Sequence, residues 1–312
     1  MNAPARSLIV ILGPTASGKS ALAIAIAEIL CGEIVCCDST QVYRDFDIGT
    51  GKIPHEQQRG IPHHLTDLVD SGEIFTAGEY RRRAVETLGE VTGRGRIPIL
   101  TAGTGLYLRA LLEGLADAPA RSETLRERLR HGETLKGPGY LHRLLIRLDS
   151  ETASKIAPGD AQKLIRAIEI CLLAGKPTSE VHRRGRVGLE GYSVLKIGLA
   201  PQRAALYARV DQRVVRMIES GWVNEVRDLM KKGIPTVAKP FTFLGYSQLR
   251  EHIQGSKSLE QAVRETQQAI RRYAKRQITW FRREANVYWF KGFGDDPRIL
   301  EAALELTRSS GE

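Results

Sequence analysis

The sequence has little of what would take a chain outside the ordinary globular classes. Only 4 of its 312 residues are cysteine, and Cys31, Cys36, Cys37 and Cys171 build no C-x-x-C knuckle with a nearby histidine. A structural zinc site is therefore not expected, and the thiols suit a reducing compartment. Cys36 and Cys37 lie in an apolar run and read as small buried hydrophobes. No apolar run reaches the ~20 residues that a membrane-crossing helix needs. The first such run, residues 8–12, leads into a glycine-rich loop without a small-residue cleavage site, so it reads as a strand and not a signal peptide. With no other address in view, the expected location is the cytoplasm. Internal repeats and a low-complexity tail are also missing. An acidic excess is lacking too: 46 Lys and Arg against 36 Asp and Glu give a formal charge of +10. Such a balance favours polyanionic partners, because each neutralised phosphate releases condensed counterions.

At 312 residues the chain is long for one compact unit, and a core with a smaller second unit is expected. Residues 7–12 predict a strand, 19–30 a helix and 33–37 a second strand. A helix over 76–92 and a third strand over 97–101 follow. Strand–helix alternation with apolar strands implies a parallel sheet covered by helices. From Leu115 the character changes. A Pro/Ala linker spans 116–120, and a short charged helix, 122–130, has Ser122 as its N-cap. Helical periodicity then covers 140–146, 150–155 and 160–173, ending at Gly175. After a glycine-punctuated loop at 185–191, residues 193–199 predict a strand returning to the sheet. A long amphipathic helix at 207–231, a strongly basic one at 261–283 and a short apolar stretch at 287–290 complete the chain. The expected fold is α/β: a P-loop NTPase-like parallel-sheet core flanked by helices (residues 1–115 and 191–312) with an all-helical insertion domain (116–190).

Gly13-Pro14-Thr15-Ala16-Ser17-Gly18-Lys19-Ser20 matches G-x-x-x-x-G-K-[ST] directly after a strand and before a helix, which is the context the motif requires. Its backbone N–H groups can turn onto phosphate oxygens at a helix N-terminus, Lys19 can reach a terminal phosphate and the Ser20 hydroxyl can ligate Mg²⁺. Nucleotide kinases and hydrolysing NTPases share this loop. The third strand ends in Ala102-Gly103-Thr104-Gly105, without the acidic residue that a hydrolysing NTPase often places there. The nearby carboxylate is Asp38, after the second strand. In a parallel sheet that position opens on the same crevice as the phosphate loop. Asp38 could serve Mg²⁺ through water, accept a proton from a nucleophile, or merely cap a turn. His63 and His64 have no partner motif and read as loop-packing residues.

On these segments the chain resembles the tRNA dimethylallyltransferase (tRNA isopentenyltransferase) family, bacterial type. The resemblance runs in order through GPTASGKS at 13–20, DSTQVYRDFDIGTGK at 38–52, PHHL at 62–65 and GTGLYLRALLEGL at 103–115. It continues through DAQKLIRAIE at 160–169, Gly245-Tyr246 and AKRQITWFR at 274–282. Departures are Ala102 where the family usually has glycine, DIGTGKI for DIGTAKP, and Ala157-Pro158-Gly159-Asp160 for HPND. None removes a charged or hydroxyl group expected in chemistry.

The resemblance implies transfer of a dimethylallyl group from dimethylallyl diphosphate to N6 of the adenosine 3′ of the anticodon. It places the diphosphate and Mg²⁺ on Gly13–Ser20, with Ser20 the metal ligand and Arg209 on the diphosphate. It makes Asp38 the general base, lines the adenine pocket with Ser39, Thr40 and Gln41, and sets Thr104 opposite. The target nucleotide would be flipped into this channel. The insertion would grip the anticodon stem-loop through Arg126 and the 162–166 segment, namely Gln162, Lys163, Leu164, Ile165 and Arg166. A monomer is implied. The basic segment 264–283, with Tyr273, Trp280 and Phe281 interleaved, reads either as a second phosphate-contacting surface or as a helix packed on the sheet. Two other readings stand beside this one: a P-loop nucleotide or small-molecule kinase with Asp38 as base, and a non-catalytic, nucleotide-gated RNA-binding protein.

Overall fold

Strand β1, Arg6–Leu12, is buried along its last five residues, as a strand with sheet neighbours on both sides and helices on both faces must be. In the computed structural model residues 6–183 and 185–309 are described; the ends of the expected core, 1–5 and 310–312, and Arg184 of the expected insertion lie outside the described residues. The chain continues through α1 (Lys19–Leu30), β2 (Gly32–Cys37), β3 (His63–His64), α2 (Ala77–Gly93), β4 (Ile97–Ala102) and α3 (Gly105–Glu113). Helices α4 (Glu123–Lys136), α5 (Tyr140–Leu148), α6 (Ser150–Ala153), α7 (Ala161–Ala174) and α8 (Thr178–Arg183) follow. Then come β5 (Tyr192–Leu199), α9 (Arg203–Glu219), α10 (Trp222–Lys231), α11 (Tyr246–Ile253), α12 (Leu259–Phe281), β6 (Val287–Phe290) and α13 (Pro297–Ser309).

The six strands pair in the order β3-β2-β4-β1-β5-β6, and every pairing is parallel. The register sets Leu12 of β1 and Cys37 of β2 level with Ala102 of β4. The loops that leave these three strands therefore start from one edge of the sheet, and they carry the phosphate loop, Asp38 and Thr104. One face packs Ile9, Ile11, Ile34 and Ile99 against Leu22 and Ile26 of α1. Each fully buried Leu or Ile there contributes about 1.5–3 kcal/mol. Helix α2 begins at Thr76, whose hydroxyl caps the N–H of Glu79 at 3.1 Å.

The single helix expected over 207–231 is two, α9 and α10. Gly221 has φ 97°, a left-handed conformation that an L side chain resists, and it turns the chain so that Trp222 is fully buried edge-on to Tyr246. Strand β3, at two residues, is too short to show a periodicity, and α13 had no expected counterpart.

The chain divides into two compact units, residues 1–111 with 189–312, and 112–188. The second has its own core, in which Leu129, Leu141, Leu145, Leu164 and Ile168 pack together. Asp149 ties two helix starts inside it, accepting from the backbone N–H of Thr152 at 2.9 Å and of Ser179 at 2.7 Å. Among the described residues no helix is long and apolar enough to cross a membrane.

Candidate active site

The turn between β1 and α1 is shaped by backbone constraint. Gly18 has φ 88°, and a Cβ there would lie 2.7 Å from the backbone nitrogen of Gly294, so only glycine fits. The Lys19 ammonium donates to the carbonyls of Gly13 at 2.9 Å and Pro14 at 2.8 Å. Burial lowers its pKa from 10.5 to about 8; Asp38 pulls it partly back up and Arg213 pushes it down. Ser17 is fully buried with an unpartnered hydroxyl. Ser20 is exposed and opens on a pocket with Cys36, Gln41, Lys52, His63 and Thr101.

Two arginines one turn apart on α9 have different surroundings. The guanidinium of Arg209 forms a two-pronged pair with Asp295, both contacts 2.8 Å, and stacks over Phe293. Asp295 itself lies against Gly18. Arg213 instead reaches Thr15 Oγ1 at 3.4 Å. Burial holds its pKa below the usual arginine range, with Asp38 acting in the opposite direction. Arg213 was not among the residues expected from the sequence. Its spacing of four from Arg209 on an amphipathic helix was the available signal.

Asp38 follows β2, and its Oδ1 accepts from the N–H and hydroxyl of Thr40 at 2.9 and 2.7 Å. The loop after β4 approaches so closely that a Cβ on Gly103 would collide with the other carboxylate oxygen. Thr104 Oγ1 accepts from the Ser39 N–H at 2.9 Å and lies 3.2 Å from the Ser39 hydroxyl. Asp38 with Thr40 and Ser39 with Thr104 thus form two hydrogen-bonded pairs on adjoining loops. Gln41 faces away from them: the amide accepts from the Cys36 thiol and donates to the carbonyls of Thr50 and Gly51.

That last bond belongs to the anchoring of the 47–52 loop, which sequence reasoning did not reach. Glu225 of α10 accepts from the N–H groups of Asp47 and Ile48 at 3.2 and 2.7 Å, and from the Tyr246 hydroxyl at 2.7 Å. Burial raises the Glu225 pKa, and the N–H donors only partly offset it. Lys52 is enclosed by the Tyr43 carbonyl and the carboxylate of Asp47 at 2.6 and 2.7 Å.

The basic helix α12 divides its aromatics. Phe281 is core, at 1% exposure. Trp280 packs on Gly105 and under the Arg109 guanidinium, and the Tyr273 hydroxyl points at the Gly103 carbonyl, 3.4 Å away. Gln277, with no expected role, joins the phosphate loop to the Gly103 loop through two hydrogen bonds, the one to Gly103 buried and the one to Thr15 partly so.

Two of the expected RNA-contacting residues of the 112–188 unit, Arg126 and Arg166, bond Glu169, a carboxylate with 0% exposure. Arg126 makes two contacts to it, at 2.9 and 2.8 Å, Arg166 one at 2.6 Å, and the Ser122 N–H one at 2.8 Å. Burial alone would raise the Glu169 pKa; the arginine bonds outweigh it and hold the carboxyl at about 2. Gln162 and Lys163 are exposed. Leu164 and Ile165, expected on RNA, are 1% and 5% exposed and belong to the unit's core. Their side chains occupy the apolar stripe of α7 and pack inward.

His63 and His64 form β3; His63 bonds the Ile61 carbonyl at 2.8 Å and His64 the Glu33 carboxylate at 2.6 Å. Among the described residues no group of three or more His, Cys, Asp or Glu is placed to hold a metal.

Comparison with known proteins identifies the family. The profile of the family described as IPP transferase matches residues 41–284. The chain is 52% identical over 298 residues to a tRNA dimethylallyltransferase of Solibacter usitatus, covering 96% of this chain and 97% of that one. It is 43% identical to that of Geobacter metallireducens, covering 95% and 96%. Among solved structures, the tRNA isopentenylpyrophosphate transferase of Bacillus halodurans superposes with TM-score 0.71 at 35% identity, covering 98% of this chain and 97% of that one. A eukaryotic dimethylallyltransferase acting on tRNA superposes with TM-score 0.83 at 25% identity, covering 97% and 80%. The chain belongs to the IPP transferase family, with the tRNA dimethylallyltransferases as its relatives.

Proposed function

We infer that this protein transfers a dimethylallyl group from dimethylallyl diphosphate to the N6 amine of the adenosine 3′ of the tRNA anticodon, releasing diphosphate. The observation that carries the site-level reading is Asp38, a carboxylate in electrostatic reach of two enclosed cations, Lys19 and Arg213. Cations hold a leaving diphosphate, and a carboxylate next to them can take the proton of an incoming amine.

In this reading the bond from N6 to the allylic C1 forms as the C1–O bond breaks, and the oxygen keeps the electron pair. Lys19, Arg213 and the N–H groups of the phosphate loop bear the developing charge. The proton on N6 passes to Asp38, whose Oδ1 is already held by Thr40. Thr104 and Ser39, bonded to each other, orient the base, and Gln41 shapes the wall by holding the 50–51 backbone. We assign Arg209 a supporting place, since it secures Asp295 beside Gly18.

A divalent cation fits the residues present. Mg²⁺ keeps most of its shell as water and phosphate oxygens and asks for one or two protein donors, and the exposed Ser20 hydroxyl offers one next to the phosphate loop. When bound there it adds positive charge against the leaving diphosphate. We assign Arg126, Gln162, Lys163 and Arg166 of the 112–188 unit to the anticodon stem-loop, and the working unit to one chain in the cytoplasm. The free cysteines accord with that compartment.

The test uses unmodified tRNA and dimethylallyl diphosphate labelled in the prenyl group, without ATP. Label enters the tRNA with the wild-type protein. Asp38→Asn lowers the transfer rate roughly 10²–10⁴-fold while tRNA binding persists. Movement of the ATP γ-phosphate onto an acceptor, with no prenyl transfer, would replace this reading by the kinase one.

A further inference from the structure

We propose that Gln277 is a positioning residue that fixes the spacing between the phosphate loop and the Gly103 loop beside Asp38, and so governs the rate of transfer. The proposal rests on the reaction given above. Gln277 is 5% exposed. Its Oε1 accepts from the Thr15 N–H at 2.8 Å, and its Nε2 donates to the Gly103 carbonyl at 2.7 Å. These partners are 262 and 174 residues away in sequence, so one amide on α12 bridges the two loops that leave the paired strands β1 and β4.

Each end of the bridge meets one half of the site. Thr15 opens the loop assigned to the donor diphosphate, and its hydroxyl meets Arg213. Because Gln277 occupies the Thr15 N–H, that donor places the loop and is withdrawn from the anion. At the other end, Gly103 approaches the Asp38 carboxylate too closely for any Cβ, and its N–H holds the Cys37 carbonyl at 3.0 Å. Moving the Gly103 peptide would move Asp38 and Thr104 with it. Tyr273, one turn earlier, adds a longer contact of 3.4 Å to the same carbonyl.

A neutral carboxamide satisfies both partners, one as acceptor and the other as donor, which a carboxylate cannot. Rotated by half a turn it would set an NH₂ against an N–H and an oxygen against a carbonyl. Buried partners left unmatched cost far more than a typical hydrogen bond contributes, so the bridge has one stable orientation. Transfer chemistry is sensitive to such spacing: a misplacement of ~1 Å can cost about 10²-fold in rate.

The experiment compares Gln277→Glu and Gln277→Met with the wild type in single-turnover prenyl transfer at saturating tRNA and dimethylallyl diphosphate. As a carboxylate, Glu at this position still accepts from Thr15 but turns a second oxygen on the Gly103 carbonyl; protonated, its O–H donates there as the amide does. The charged and titratable groups beside its partners are Arg213 on Thr15, Asp38 against Gly103 and Tyr273 on its own helix. The expected result is a Gln277→Glu rate, relative to wild type, that recovers as pH falls between about 8 and 5. Gln277→Met should stay low throughout, by roughly 10²-fold in kcat with the KM for tRNA unchanged. A flat Gln277→Glu ratio, a rise in KM without loss of kcat, or losses that track the unfolded fraction by circular dichroism would overturn the proposal. Absence of transfer by the wild type would instead overturn the reaction.

Discussion

Two regions of this molecule gather charge out of water, and they do so in opposite ways. In the 112–188 unit the buried anion Glu169 is surrounded by Arg126, Arg166 and the Ser122 N–H, and its carboxyl is held down at about 2. Every oxygen has its donors, and that cluster is satisfied. At the phosphate loop the cations are in excess: Lys19 and Arg213 are both pushed below their ordinary pKa ranges by burial, with Asp38 as the shared counter-charge. A buried charge that is fully paired reads as architecture, while half-buried cations whose surroundings still disfavour their charge read as a receptor for an anion. The arginines that a motif would send to the RNA, Arg126 and Arg166, are thus already paired within the unit.

The strongest test of that contrast is Glu169→Gln. It removes the charge at constant volume and leaves the largely buried Arg126 without its carboxylate, so the 112–188 unit should be destabilised by about 3–5 kcal/mol. The sign with pH follows from the lowered pKa. A carboxylate depressed to about 2 stabilises the fold above its ordinary pKa of about 4.3, and that stabilisation is lost as pH falls through the interval between them. Thermal unfolding followed between neutral pH and about 2 should therefore show a shallower acid loss in the variant than in wild type. Equal stability at pH 7 would mean that the buried cluster is not structural, and the comparison would fail.

A smaller effect separates the two arginines of α9. Arg213→Ala removes a charged donor from the phosphate loop and should weaken binding of inorganic diphosphate about 10–100-fold, the range of a charge-assisted hydrogen bond. Arg209→Ala removes a cation already neutralised by Asp295, and should weaken it by less than about tenfold. Isothermal titration with both variants decides the order. A reversed order would return the diphosphate to Arg209, as the family resemblance first placed it.

Why one arginine was legible and the other not is a matter of distance in sequence. The phosphate loop announces itself because its chemistry lies in eight consecutive residues, and Asp38 because a parallel sheet brings strand ends together. Arg209 and Arg213 have the same spacing from the helix stripe, and only Asp295, 86 residues away, tells them apart. Gln277 offered still less: it lies inside the AKRQITWFR segment of the resemblance, but its role shows only once both of its distant partners are placed. Leu164 and Ile165 were legible in principle, since their spacing marks the buried face of α7, but they were carried along with the polar residues of their motif. The break at Gly221 could equally have been read, because a glycine inside a long helical pattern marks a weak point.

The finest test of the contrast is the titration of Lys19. A lysine whose folded pKa lies near 8 instead of 10.5 costs stability while it is protonated; that penalty is in force below about pH 8 and is relieved as pH rises toward the ordinary value. For the ligand the sign reverses. An anion favours the ammonium form, so diphosphate binding above about pH 8 must take up a proton, and affinity should fall by at most about tenfold for each further pH unit. Lys19→Arg supplies the control, because a guanidinium stays charged across the range and the ligand's own titration is common to both proteins. The ratio of wild-type to variant affinity for inorganic diphosphate should be level up to neutral pH and decline beyond about 8. A ratio that stays level would show that the ammonium is as comfortable as Glu169, and the phosphate loop would lose its claim to be the unsatisfied region of the fold.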